Sequence, residues 1–269
     1  MNSRHMSEPP ILETKDLSMH FGGLKALDKI NFQVARGCIK AIIGPNGSGK
    51  TTLFNIITGA HQPSSGRVSF EGADITSLPG FKIVSSGIAR TFQNIRLFPQ
   101  MTVLANVMVG NHSRMKGGLW ASGVRWRGIS AEEQRCEEKA IRMLELVGFT
   151  GDLKMKSSGL PYGSQRLVEL ARALSAEPRL IVLDEPTAGM NTTETMAMLP
   201  TIRKLRDLGI TVLLIEHNMR LVMGVAESIM VLNGGQKIAE GSPEEIWNDQ
   251  RVVEAYLGKR DPRYKVACS

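Results

Sequence analysis

The stretch most committed to chemistry is Gly44-Pro45-Asn46-Gly47-Ser48-Gly49-Lys50-Thr51-Thr52. Its glycines let the backbone curl so that successive N–H groups face inward and cradle phosphate oxygens. Lys50 adds a full positive charge and a following helix N-terminus a partial one. The Thr51 hydroxyl is placed to meet a magnesium ion. The apolar run Cys38 to Ile43 precedes the stretch, and Leu53, Phe54, Ile56 and Ile57 follow at helical spacing until Gly59. Strand, glycine loop and helix in that order are the context a P-loop requires, which an accidental glycine-rich turn would lack. Binding of a nucleoside triphosphate is the expectation.

A magnesium–phosphate site needs an acid facing the loop. Leu180-Ile181-Val182-Leu183-Asp184-Glu185 is a continuous apolar run ending in two, as suits a strand buried on both faces of a parallel sheet. Asp184 would hold the ion directly or through water. Glu185 would accept a proton from the attacking water or orient it. As bare sequence the pair also fits a helix N-cap beside a solvated neighbour.

The elements that must position these groups follow from pattern. Ile11 to Phe21 and Lys29 to Arg36 read as strands about Gly22-Gly23, and Arg67 to Glu71 as another after a turn-rich cluster. Pro79 to Ser86 carries a weaker helix signal, and Leu97 to Gly110 is apolar but interrupted by Pro99. Asn111 to Gly128 is glycine-rich and basic, an expected inserted loop with one short helix. Ser130-Ala131-Glu132-Glu133 resembles a capping box opening a helix to about Val147, ended by Gly148. Further helices are expected over Ser164 to Ala176 and over Thr192 to Leu208, the latter with a possible break at Pro200. Thr211 to Ile215 reads as a second buried strand, and Asn233-Gly234-Gly235 as a hairpin turn between Ile229–Leu232 and Gln236–Ala239. Ser242-Pro243-Glu244-Glu245 opens another helix, and a last one covers Val252 to Leu257. Alternating strands and helices around a P-loop give an α/β core.

Composition narrows the class less than the motifs do. The net charge of +7 suits polyphosphate, anionic lipid or nucleic acid, and equally a solvated basic face. No apolar run reaches the roughly 18 residues of a membrane span, and no basic-then-apolar leader marks secretion. Cys38, Cys136 and Cys268 lie far apart and read as free thiols of a reducing compartment, Cys38 in the core. Residues 1–6 are expected to be a remnant of cloning and are set aside from the fold reading.

Leu183 to Gly189, following Tyr162-Gly163-Ser164-Gln165-Arg166, resembles the ATP-binding subunit of ABC transporters. The likeness runs from about Ile11 to Leu257. It implies a P-loop core with a RecA-like parallel sheet and an N-terminal antiparallel β-subdomain, over residues 7–90 and 166–269. It implies a helical subdomain at 91–165, and two subunits sandwiching two ATP molecules with Mg2+. By that resemblance Gln93 is the glutamine that touches magnesium and links the site to the helical subdomain. His217 is the switch histidine sensing the γ-phosphate, and Phe21 the aromatic stacked on adenine. As bare sequence Gln93 is a loop residue, His217 a structural histidine and Phe21 a core phenylalanine.

The signature segment departs from the family's Leu-Ser-Gly-Gly-Gln. Here Leu160-Pro161-Tyr162-Gly163-Ser164, followed by Gln165, replaces the serine by Pro161 and the glutamine by Ser164. Gly163 and a helix starting at Ser164 would still offer N–H groups to a partner's phosphate, as a weakened contact. The aspartate usual in the next loop is also absent, with Asn191 left to bond across the dimer.

Thr91 to Phe98, Met101 to Leu104, Glu216-His217-Asn218-Met219 and Ala255-Tyr256-Leu257-Gly258 look most like branched-chain amino acid importers. The lipopolysaccharide-export ATPase shares several of these motifs but is expected to lack the insertion. The resemblance implies transmembrane permease subunits, a second ATPase subunit, identical or paralogous, and indirectly a solute-binding protein. It places the chain peripherally on the cytoplasmic face of the inner membrane. A soluble ABC ATPase acting on nucleic acid is the rival from another class, although no nucleic acid partner is expected. A regulatory module with little hydrolysis is a third reading, motivated by Pro161 and Asn191.

Overall fold

The computed structural model describes residues 9–111 and 127–257. In chain order the strands are β1 (Leu12–Phe21), β2 (Leu24–Val34), β3 (Ile39–Ile43), β4 (Ser65–Phe70), β5 (Ala73–Asp74), β6 (Ile88–Arg90), β7 (Leu180–Asp184), β8 (Thr211–Ile215), β9 (Ser228–Asn233) and β10 (Gln236–Gly241). The helices are α1 (Lys50–Ile57), α2 (Gly80–Ser86), α3 (Val103–Val109), α4 (Arg127–Leu146), α5 (Tyr162–Ser175), α6 (Thr192–Asp207), α7 (Met219–Val225), α8 (Pro243–Asn248) and α9 (Gln250–Leu257). An antiparallel sheet of order β2-β1-β4-β5 stands beside a six-stranded sheet of order β10-β9-β3-β8-β7-β6. In the second sheet β9, β3, β8, β7 and β6 are parallel, and only β10 returns antiparallel as a hairpin. This is the α/β fold with an N-terminal antiparallel sheet that the resemblance implied.

The continuous apolar runs arise because each central strand is covered on both faces. Ile39, Ala41 and Ile43 of β3 join Ile181 and Leu183, Val212 and Leu214, and Ile229 and Val231 in one core, packed by α3 to α9. The alternate residues Ile42, Val182, Leu213, Ile215, Met230 and Leu232 join a second core with β1, β2, β4 and α1. Every one of these side chains is buried. Cys38 lies in that second core, where burial pushes its thiol up to about 11, so it is not a nucleophile at neutral pH. Among the described residues no helix is long and apolar enough to cross a membrane.

Several boundaries depart from the sequence reading. β2 begins at Leu24, five residues before Lys29, because it pairs with β1 up to the Phe21↔Leu24 turn. α4 begins at Arg127, so Ser130 lies inside it rather than capping it. α5 begins at Tyr162, with Pro161 as its N-cap, two residues before Ser164. α6 continues through Pro200 without a break. Pro200 and Met196, whose carbonyl it leaves without an N–H, both sit on the exposed face, where water can replace the lost bond. β5, β6 and α7 were not anticipated. Most of the expected inserted loop, and Cys268, lie outside the described residues.

α3 is tied to the segment before it by Asn106, which is fully buried. Its Oδ1 accepts from Phe98 N at 2.8 Å, and its Nδ2 donates to Phe98 O (3.1 Å), Thr102 O (3.0 Å) and Ser157 Oγ (3.2 Å). Asn106→Ala strands buried groups on both sides. It is expected to cost about 2–3 kcal/mol, read as a lower urea midpoint with unchanged slope.

Candidate nucleotide site

Because β3, β8, β7 and β6 run parallel, their carboxyl ends lie along one edge of the sheet. Ile42 is level with Ile215, and Ile215 with Asp184. The segments that leave this edge are the P-loop, Glu216-His217, Asp184-Glu185 and Thr91 to Gln93. That is where a doubly covered parallel sheet places its ligands. Residues scattered over much of the chain are thereby brought together.

The P-loop curls by means of its glycines. A Cβ at Gly44 would stand 2.1 Å from Leu232 O, and one at Gly49 (φ 104°) 2.6 Å from Ala26 O. Gly47, at φ 79°, is left-handed too. No side chain fits at Gly44 or Gly49 without moving backbone. Ser48 Oγ is buried inside the loop with no hydrogen-bond partner, a group left for a ligand to satisfy. Lys50 Nζ folds back on the loop, donating to Gly44 O at 2.7 Å and Pro45 O at 3.0 Å. Burial pushes its pKa below the ordinary lysine value, against the pull of Glu185 and Asp184. Thr51 is exposed and Thr52 half-buried at the start of α1.

Asp184 ends β7, nearly buried, with one carboxylate oxygen already held: Arg90 Nη2 donates to Oδ2 at 2.6 Å. The same guanidinium bonds Asn55 Oδ1 (2.7 Å) and Thr58 Oγ1 (3.0 Å) of α1 and its C-cap. It thus ties the acid strand to the P-loop helix. Glu185 has φ 47°, a left-handed backbone that costs a non-glycine residue energy and recurs at functional sites. Its N–H donates to Ile215 O at 3.0 Å, which fixes that turn to β8. Gln93 Nε2 donates to Glu185 Oε2 at 3.0 Å, and His217 Nδ1 stands 3.7 Å from Oε1. Gln93, Glu185 and His217 therefore meet around one carboxylate.

Phe21 is not in the core. It is 45 % exposed at the end of β1, with its ring edge-on to His61 at 5.9 Å between centroids. Among the described residues, none of the signature side chains bonds Gln93, Glu185 or His217 directly. Leu160 is buried, Gln165 Nε2 donates to Leu160 O at 2.9 Å, and Pro161 leaves the first N–H groups of α5, from Tyr162, Gly163 and Ser164, without partners in the helix. Gly163 packs against Glu194, and Gly189 (φ 78°) against the Tyr162 ring, where a Cβ would come within 2.7 Å. Asn191 caps α6 in a reciprocal box: its Oδ1 accepts from Glu194 N, and its N–H donates to Glu194 Oε2, both at 2.9 Å.

Sequence reasoning missed three groups that organise the site. One is Arg90, which holds Asp184. Arg166, buried, donates to Phe92 O at 2.6 Å, to Gln93 O and to Tyr162 Oη at 2.9 Å, joining the signature helix to the backbone beneath Gln93. Glu216 lies buried between two loops. Arg166 and Glu216 each adjoin a motif residue in sequence, a signal that could have flagged them.

A P-loop with an orphaned hydroxyl, two acids at the end of β7, one strand removed from β3 across β8, and a separate helix N-terminus define a nucleotide-binding cassette. Residues 27–188 match the ABC transporter family model, and residues 236–262 match the model described as branched-chain amino acid ATP-binding cassette transporter. The chain is 42% identical over 251 residues to the high-affinity branched-chain amino acid transport ATP-binding protein BraF of Pseudomonas aeruginosa, covering 93% of this chain and 98% of that one. It is 39% identical to LivG of Escherichia coli, which has the same description, over the same shares. A crystal structure of a nucleotide-free ATP-binding cassette from an ABC transporter superposes with TM-score 0.81 at 38% identity, covering 93% of this chain and all of that one. The ADP conformation of such a cassette gives TM-score 0.81 at 36% identity, covering 94% and 100%. The chain belongs to the ABC transporter family, as an ATP-binding cassette that hydrolyses ATP.

Proposed function

We propose that this cassette powers the import of branched-chain amino acids through permease subunits supplied by other chains. The observation that carries the reading is its end-to-end likeness to ATP-binding proteins of that transport class, together with the separate match over residues 236–262. ATP binding and hydrolysis are the family's work, and the solute is set by the permease.

In this reading the γ-phosphate enters the P-loop, Ser48 gains its missing partner, and Lys50 leaves the carbonyls of Gly44 and Pro45 for phosphate oxygens. Phe21, exposed, offers its face to adenine. Glu185 orients a water and accepts its proton as the water oxygen bonds to the γ-phosphorus. The bond from that phosphorus to the β–γ bridging oxygen breaks, leaving ADP and phosphate. His217, beside Glu185, reads the presence of the γ-phosphate, and Gln93 passes the state of the site to the helical layer. Thr51, Asp184 through its free Oδ1, and Gln93 form an oxygen donor set suited to Mg2+, which takes few protein ligands beside phosphate. When bound, the ion neutralises phosphate charge. EDTA in excess is expected to reduce phosphate release to background and added Mg2+ to restore it, followed in a coupled assay.

A second cassette, identical or paralogous, completes each site. Tyr162, Gly163 and Ser164 N–H groups of one subunit would meet the other's γ-phosphate, and Asn191 keeps its Nδ2 for a contact across the dimer. Residues 7–90 and 166–269 then act as the core, and 91–165 as the helical part that meets the permease at the cytoplasmic face of the membrane. A solute-binding protein acts indirectly, from the far side. Recovery in the membrane fraction with a permease would support the reading. Nucleic acid retained through purification would favour the soluble alternative instead. Two permease genes, a second ATPase and a binding protein beside this gene are expected.

A further inference from the structure

Glu216 is fully enclosed between the loop that leaves β7 and the loop that leaves β8. Its Oε1 accepts from Thr187 Oγ1 at 2.5 Å and from Thr187 N at 3.2 Å. Its Oε2 accepts from His217 N at 3.1 Å and from Asn218 N at 3.2 Å. All four partners are neutral donors. A buried carboxylate held only by neutral groups is a costly way to fill space, and an apolar side chain would serve packing better. What the carboxylate supplies is a joint: each oxygen clamps one loop, with two hydrogen bonds on either side.

Those loops carry the reacting groups. Glu185 lies two residues before Thr187, and His217 directly follows Glu216. The His217 side chain is 62% exposed and 3.7 Å from Glu185 Oε1. With so little packing of its own, the imidazole goes where its backbone is held. We infer that Glu216 is a positioning residue for hydrolysis, a carboxylate strut that fixes the backbone of His217 relative to the loop of Glu185. This rests on the roles proposed above for those two residues. The glutamate side chain lets the two loops shift together when the γ-phosphate leaves, rather than one at a time.

The test is a double-mutant cycle in the full-length chain, with kcat and KM for ATP measured for Glu216→Gln, His217→Ala and the pair. The glutamine must turn its NH2 toward one pair of donors, so one arm of the strut opens. Glu216→Gln is expected to lower kcat about tenfold with KM within about twofold, and the pair to be no slower than His217→Ala within about twofold, since groups acting as a unit are non-additive. Multiplying losses in the pair, or an unchanged kcat in Glu216→Gln, would overturn the strut while leaving His217 in its role. Wild-type turnover in His217→Ala would overturn the histidine assignment and the strut with it. Should Glu216→Gln not fold, Thr187→Val removes only the 2.5 Å bond and keeps the carboxylate in place. Its cycle with His217→Ala is expected to show the same non-additivity with a smaller loss, and additive losses there would overturn the strut equally.

Discussion

Glu185→Gln is expected to leave ATP bound and nearly stop turnover. The amide keeps the shape of the side chain, and its oxygen can still accept from Gln93 Nε2, now 3.0 Å away. The left-handed backbone at this position does not depend on the side-chain charge. What disappears is the ability to take a proton from the attacking water, a step worth about 10²- to 10⁴-fold. Affinity should hold or rise, because one negative charge beside the phosphate site is gone. Single-turnover phosphate release and a nucleotide titration on the same preparation check both halves. Turnover near wild-type would remove Glu185 from the role of general base.

Lys50→Ala is expected to act on binding rather than chemistry. In the free loop the ammonium is held by two carbonyl oxygens, Gly44 O and Pro45 O, and burial has already weakened its hold on its proton. Phosphate oxygens are stronger acceptors than those carbonyls, so the exchange favours ligand. Each charge-assisted bond lost costs about 1.5–3 kcal/mol, so two such bonds amount to about a hundredfold or more in ATP affinity. Lys50→Arg should not rescue, since the planar guanidinium cannot fold into the space of an ammonium. The thermal upshift on adding ATP, which follows the logarithm of ligand concentration over Kd, should shrink in Lys50→Ala. An undiminished upshift would contradict the role.

The parts legible in sequence are those whose cause is local. β3, β7 and β8 read clearly because burial on both faces leaves no polar interruption, and α8 read clearly because Ser242 and Glu245 form the expected box with Pro243 at the first position. The P-loop was legible because its conformation demands glycine at fixed places. What escaped was made by distant partners. β6 is three residues long and exists by pairing Ile88 with Leu180 and Arg90 with Val182. Arg90 gains its meaning from Asp184, 94 residues later, and Glu216 from Thr187, 29 residues earlier. The helix expected at Ser130 begins at Arg127, because a serine followed by two acids is a capping signal only if the chain is not already helical. Phe21 could not be placed by composition, and only its exposure separates a ligand-facing ring from a core one.

The most direct test of the whole account is transport. This chain would be assembled in proteoliposomes with its neighbouring permease subunits, partner ATPase and binding protein, and uptake of labelled leucine followed with and without ATP inside. ATP-dependent accumulation is expected, abolished by Glu185→Gln while nucleotide stays bound. Accumulation that needs no ATP, or that continues undiminished with Glu185→Gln, would contradict the proposed function.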